Sequence, residues 1–271
     1  MRNTLIITFL LALFATTGLM AEEIITEERS VPDFTKIEIQ GSVDVVYTQG
    51  SSVQVKVKGE SKEVAQVITK VQNSTLIVDY RNNRTWFSGT SDLVVFAKSP
   101  VLTSVKIAGS GDFETENRVK GDKFSLAVHG SGDSQCRLDA DDLEVKVHGS
   151  GDVSFSGVNN RMHITVNGSG DVDGEDINLE EATIKQYGSG DVKVEGTARN
   201  LNLSQSGSGD CHARHLEAEN AEIRKSGSGD AIITARKRIS VQSSGSGDTH
   251  CYGNPSSVEE SVSGSGELYI K

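Results

Sequence analysis

The tetrapeptide Gly-Ser-Gly-Asp recurs along most of this chain at a nearly constant interval, and that recurrence limits the fold more than any single residue does. Its first glycines are Gly109, Gly130, Gly149, Gly168, Gly188, Gly207, Gly227 and Gly245, and a ninth copy at Gly264 ends in Glu267 instead of Asp. Successive copies lie 18 to 21 residues apart. So steady a period is the pattern of a solenoid, in which each coil packs only on its neighbours.

One coil can be read by counting from the first glycine of a copy. The positions six and four residues earlier are mostly apolar, as in Phe124 and Leu126, Leu143 and Val145, Met162 and Ile164, and Leu201 and Leu203. The alternation resumes four and six residues after that glycine, as in Val153 and Phe155 or Val192 and Val194. A period of two marks a half-buried strand. One coil is therefore strand, tetrapeptide, strand and polar return. Stacking such coils predicts an all-β protein, a right-handed parallel β-helix or β-solenoid with coils of about 19–20 residues. Parity places both glycines inward and the Ser and Asp outward. Missing side chains would let the opposite wall of a thin coil approach, or the second glycine could bend the strand at positive φ.

Residues 1–21 stand outside this pattern. Arg2, the apolar run Leu5–Phe14 and small residues up to Ala21 have the form of a cleaved secretory signal, and the run is too short to span a bilayer. No transmembrane segment is expected after cleavage. Residues 22–100 read as diverged coils and a cap: in Ile37–Tyr47 the coil positions recur with Val43 in place of the second glycine. Within this part Val64, Val67, Ile68 and Val71 share one helical face, so Ser61–Gln72 is expected to hold a short helix. Residues 101–271 carry the repeats. The formal charge of −11 argues against nucleic acid and anionic membrane as partners.

The stretch Val31–Val45, the strands starting at Leu76 and Leu93, and the serial Gly-Ser-Gly-Asp coils behind a signal peptide resemble the putative auto-transporter adhesin, head GIN domain family of bacterial secreted proteins. The resemblance covers nearly all of the mature chain. It implies a β-helical exported protein, periplasmic, outer-surface associated or secreted, with an adhesin-like role. No membrane-barrel pattern follows the repeats, so self-delivery through an outer membrane is not expected.

Candidate chemistry is sparse. The column Asp112, Asp133, Asp152, Asp171, Asp191, Asp210, Asp230 and Asp248 is the one repeated charged feature. Neighbouring carboxylates about 4.8 Å apart would repel by roughly 1 kcal/mol in water, so something must relieve them. Two readings follow: hydrogen bonds from backbone N–H groups or Ser hydroxyls of the turn, or calcium held between coils by oxygen ligands. His129 and His148 share an outward column and could stack or share a metal, with solvated histidines the simpler reading. Cys136, Cys211 and Cys251 fall at inward offsets in non-adjacent coils, which predicts three free buried thiols. Trp86 and Phe87 lie in a polar stretch, where they could stack on a sugar or close the end of the core.

An enzyme on such a scaffold needs loops that wall a cleft and acids that break the repeat. Here coil lengths differ by at most three residues. The expected function is a non-catalytic binding module, without a required cofactor, contacting a glycan or protein at a cell surface or in the envelope. The alternative is a structural protein that self-associates through its terminal coil.

Overall fold

The computed structural model describes residues 23–81 and 93–271. The N-terminal strands are β1 (Ile24–Arg29), β2 (Lys36–Ile39), β3 (Asp44–Gln49) and β4 (Gln54–Glu60). A one-turn helix α1 (Ser61–Val64) precedes β5 (Val67–Gln72), β6 (Thr75–Tyr80), β7 (Val94–Ser99), β8 (Ser104–Ile107) and β9 (Phe113–Thr115). Then come β10 (Val119–Val128), β11 (Ser134–Val147), β12 (Val153–Val166), β13 (Val172–Gln186), β14 (Val192–Gln205), β15 (Cys211–Lys225) and β16 (Ala231–Ser243). From β11 to β16 each strand runs from one tetrapeptide to the next, bending on the way. The last rungs are β17 (Thr249–Tyr252), β18 (Ser257–Val262) and β19 (Leu268–Ile270).

Alternation turns these segments into one wrapped sheet of stacked parallel coils, about nine turns long. Leu126, Val145, Ile164, Ile184, Leu203, Ile223 and Val241 pair rung on rung in strict parallel register. None is more than 1% exposed, and each contributes about 1.5–3 kcal/mol of burial. The expected parity holds: Val145 and Val147 are buried, whereas His148, Ser150 and Asp152 are exposed.

The role of the glycines is different from the one read in the sequence. No tetrapeptide glycine has a positive φ; that conformation belongs to Gly157, Gly196 and Gly253, outside the tetrapeptides. Nor is the opposite wall of the coil the obstacle. A Cβ built on Gly149 would lie 1.9 Å from the carbonyl oxygen of Gly130, and one on Gly151 would lie 2.1 Å from that of Gly132. From Gly130 onward each tetrapeptide glycine therefore rests directly on the glycine of the preceding coil, backbone against backbone, while Gly111 rests on Val43.

The N-terminal part departs from a simple continuation of the coil. β2 and β3 form a true rung, parallel to β8 and β9 on one side and to β6 and β7 on the other. Beyond them the strands turn antiparallel: β5 folds back on β6 through Asn73 and Ser74, both at positive φ, β4 lies against β7, and β1 against β4. The helix expected over Ser61–Gln72 is only Ser61–Val64. Val67–Gln72 is a strand because its β-branched residues pair with β6, and that pairing outweighs a helical spacing of four apolar residues.

All three cysteines are buried and free, as their inward offsets predict. Burial pushes the Cys136 and Cys211 thiols up to about 12, so neither supplies a thiolate at physiological pH.

Candidate functional site: an aspartate clasp and an axial groove

The Asp column borders the tetrapeptide turn, and its geometry follows from a reversal of hydrogen-bond direction there. Before the turn each coil donates backwards: Asn167 N–H reaches Val147 O at 2.8 Å, and Ser169 and Gly170 share Gly149 O at 3.0 and 3.4 Å. After the turn the direction flips, with Val153 N–H donating forwards to Asp171 O at 2.9 Å. The Asp N–H sits at the switch, where the main chain offers no acceptor. The carboxylate of the preceding coil fills that place. Asp171 N–H donates to Asp152 Oδ1 at 2.8 Å, Asp191 N–H to Asp171 Oδ1 at 2.7 Å and Asp210 N–H to Asp191 Oδ1 at 2.7 Å.

The same bond links Asp112 to Asp44, Asp133 to Asp112, Asp152 to Asp133, Asp230 to Asp210, Asp248 to Asp230 and Glu267 to Asp248. Each N–H thus lies between two successive carboxylates, which offsets part of their repulsion. Glu267 itself accepts a hydrogen bond from Tyr269 Oη of its own rung at 2.7 Å. Among the described residues no group of three or more His, Cys, Asp or Glu side chains is placed to hold a metal ion.

His129 and His148 stack with ring centroids 5.0 Å apart, and the Asn167 amide meets His148 Nδ1 at 3.1 Å. Burial, then His148 and Lys106, lower the His129 pKa. Trp86 and Phe87 lie outside the described residues.

One column of polar residues faces inward, two positions before the tetrapeptide. Gln186 Nε2 donates to Gly190 O at 2.7 Å and Asp210 O at 3.0 Å, and Gln205 Nε2 donates to Gly209 O at 2.7 Å and Asp230 O at 3.1 Å. In the next coil Lys225 Nζ donates to Asp248 O. This column was visible in the sequence as polar residues at an inward offset, although the alternation in the same strands hid it.

Burial lowers the Lys225 pKa, so between the folded value and the ordinary 10.5 the unfolded chain holds the proton and the folded chain does not. Stability therefore rises as pH climbs through that window. Replacing Lys225 with Gln should restore the Gln205 pattern without a charge and stabilise the protein by about 1 kcal/mol near pH 7. Denaturant melts should show that gain shrinking as pH approaches about 10.

A groove of about 930 Å³ opens along β10, β11, β12 and β13. It exists because a rung is incomplete: β8 covers β10 only over Ser125–Val128, leaving Val119–Lys123 paired with β11 alone. Pro100 lies where the chain turns into β8, and it offers no N–H. The Gln49 side chain seals the corner, with Nε2 donating to Pro100 O at 3.0 Å and Lys120 O at 3.1 Å while Oε1 accepts from Lys120 N–H at 2.8 Å. Beside it, Asn117 bonds both the N–H and the C=O of Gln49 at 2.9 Å.

Two outward columns line the groove. Lys123, Asp142, Arg161 and Glu181 stack in one, and Ser125, Glu144, His163 and Thr183 in the other. Between them Phe124, Leu143 and Met162 turn inward and are at most 4% exposed. Arg161 grips Asp142 with two hydrogen bonds, at 3.0 and 2.7 Å, and holds its carboxyl below the usual range. Lys146 does the same for Glu144. Burial, with Lys185 next, lowers the His163 pKa. At Gly121 a Cβ would meet nothing within 4 Å.

The fold and these surfaces define a class: a β-solenoid built from repeated short-turn coils, with polar ladders on its outside. The chain belongs to the family described as putative auto-transporter adhesin, head GIN domain, which matches residues 33–195 and 185–255. Solved structures repeat the architecture. A putative adhesin from Parabacteroides merdae has a TM-score of 0.69 at 20% identity, covering 93% of this chain and 97% of that one. A putative lipid binding protein from Parabacteroides distasonis has a TM-score of 0.64 at 24% identity, with 92% and 97% covered. A putative adhesin from Bacteroides fragilis has a TM-score of 0.52 at 23% identity, with 93% and 98% covered. At these identities the likeness speaks to the fold. No curated protein matches the sequence.

Proposed function

We propose that this protein is an exported, non-catalytic binding module of the adhesin type, and that it takes its ligand in the groove along Lys123, Asp142, Arg161 and Glu181. The observation that carries this reading is the groove itself, whose volume falls within the range of about 300–1,000 Å³ usual for ligand sites. Most of its lining is strand, from β10 to β13, and residues 101–103 between β7 and β8 contribute the rest. Export is supported by the signal pattern of residues 1–21, and no helix among the described residues is long and apolar enough to cross a membrane.

Two of the groove carboxylates are unsuited to a general-acid role. Asp142 and Glu144 are both held below the ordinary carboxylate range, the opposite of what a general acid requires.

Gly121→Trp tests the reading, since the new side chain enters open space and fills the groove. Residues 22–271 bearing this change should melt within a few degrees of the parent, yet fail to capture the envelope or matrix material that the parent captures. Capture that survives Gly121→Trp would remove the groove from the function.

A further inference from the structure

Resting on the groove reading above, we infer that its ligand is a neutral, linear polysaccharide lying along the solenoid axis, one sugar residue to each rung. The groove crosses four successive rungs, and the column Lys123, Asp142, Arg161, Glu181 changes sign at each step. Rungs rise by about 4.8 Å, close to the rise of one residue in an extended sugar chain. A polymer running across the strands therefore meets a cationic donor on one rung and a carboxylate acceptor on the next, once for each sugar residue. The second column repeats the offer with Ser125, Glu144, His163 and Thr183.

Charge selects among linear polymers. The alternating column cancels in pairs, Arg161 and Lys123 both bind Asp142, and Lys146 binds Glu144. With a formal charge of −11 on the whole chain, a polyanion gains no net attraction here and meets repulsion at longer range. The Arg161–Asp142 pair, joined by two hydrogen bonds, still has N–H groups and lone pairs free for hydroxyls, which are both donors and acceptors.

Geometry selects against a peptide. An added strand would run parallel to β10 along the open edge of Val119–Lys123, and Gln49 already occupies that edge at Lys120 through both its amide atoms. The groove instead runs from rung to rung, perpendicular to that direction.

Calorimetric titration of the mature chain with soluble cello-, xylo-, malto- and chito-oligosaccharides, from monosaccharide to hexasaccharide, tests the inference. At least one neutral series should bind, tightening by about tenfold or more from disaccharide to tetrasaccharide and levelling off beyond. Binding should change little with salt, and both Gly121→Trp and Arg161→Ala should abolish it, with unchanged melting temperatures showing that each variant is folded.

Binding confined to polygalacturonate or heparin and lost with salt would overturn it. So would binding confined to an unstructured peptide such as casein fragments, or neutral binding indifferent to both variants. If Gly121→Trp loses capture of envelope material and no neutral oligosaccharide competes for that capture, the groove keeps its role and the ligand class falls. If capture persists in Gly121→Trp, the groove reading falls with it.

Discussion

Gly149→Ala is expected to destabilise the protein by about 3 kcal/mol or more, enough to broaden or abolish its cooperative unfolding. The added methyl would sit 1.9 Å from Gly130 O, a backbone atom that cannot turn aside as a side chain can. Moving it means separating two rungs, and Ser150 N–H bonds that same oxygen at 3.0 Å. Gly121→Ala supplies the control, because the same added methyl meets nothing within 4 Å and should cost almost nothing. Equilibrium denaturation of the two variants beside the parent separates steric stacking from any general loss of glycine flexibility. Equal effects at both positions would show that the close contact between coils is not what requires glycine.

The triple change Asp152→Asn, Asp171→Asn and Asp191→Asn is expected to stabilise the protein by about 2 kcal/mol at low ionic strength. Asparagine keeps the Oδ1 acceptor that Asp171, Asp191 and Asp210 N–H groups use, at 2.7 to 2.8 Å. It removes the repulsion between successive carboxylates at about 1 kcal/mol per neighbouring pair, offset in part by the loss of charge-assisted bonds. The gain should shrink as salt is added. Alanine at the same three positions should be destabilising, since it leaves three N–H groups without their partner. If calcium were the ladder's stabiliser, the Asn variant would melt lower than the parent in calcium and the parent would lose stability to a chelator. Thermal melts with calcium and with chelator decide between the two.

Much of the coil was legible because a strand's period of two survives in composition: Leu143 and Val145, Met162 and Ile164 announce their own burial. The orientation of neighbouring strands was not. Thr75–Tyr80 and Val67–Gln72 have the same kind of side chains whether they pair parallel or antiparallel, so the antiparallel cap escaped a reading based on pattern. The helix expected over Ser61–Gln72 failed for a related reason, as four apolar residues fit a helical face and a strand edge equally well until β6 is known to lie alongside.

The groove was less legible still. It depends on β8 stopping short of β10 and on Gln49 reaching Lys120, a residue 71 positions away, and nothing near Gln49 in the sequence marks it for that task. The Asp column reads in the sequence as relieved by backbone N–H groups or Ser hydroxyls of the turn, and the donor is a backbone N–H, that of the next coil's own Asp.

The aspartate clasp also works as a measure of length. Every coil bearing Asp presents its successor with a carboxylate aimed along the stack, and the successor's N–H has that one acceptor to find. Glu267 breaks the sequence by a single methylene, and its carboxylate turns to Tyr269 on its own rung. An N–H seeking the Asp place in the ladder would there meet a side chain one methylene longer, with Oε2 already engaged by Tyr269. The ladder thus reads side-chain length, and the copy where Asp gives way to Glu is the one whose carboxylate bonds within its own rung.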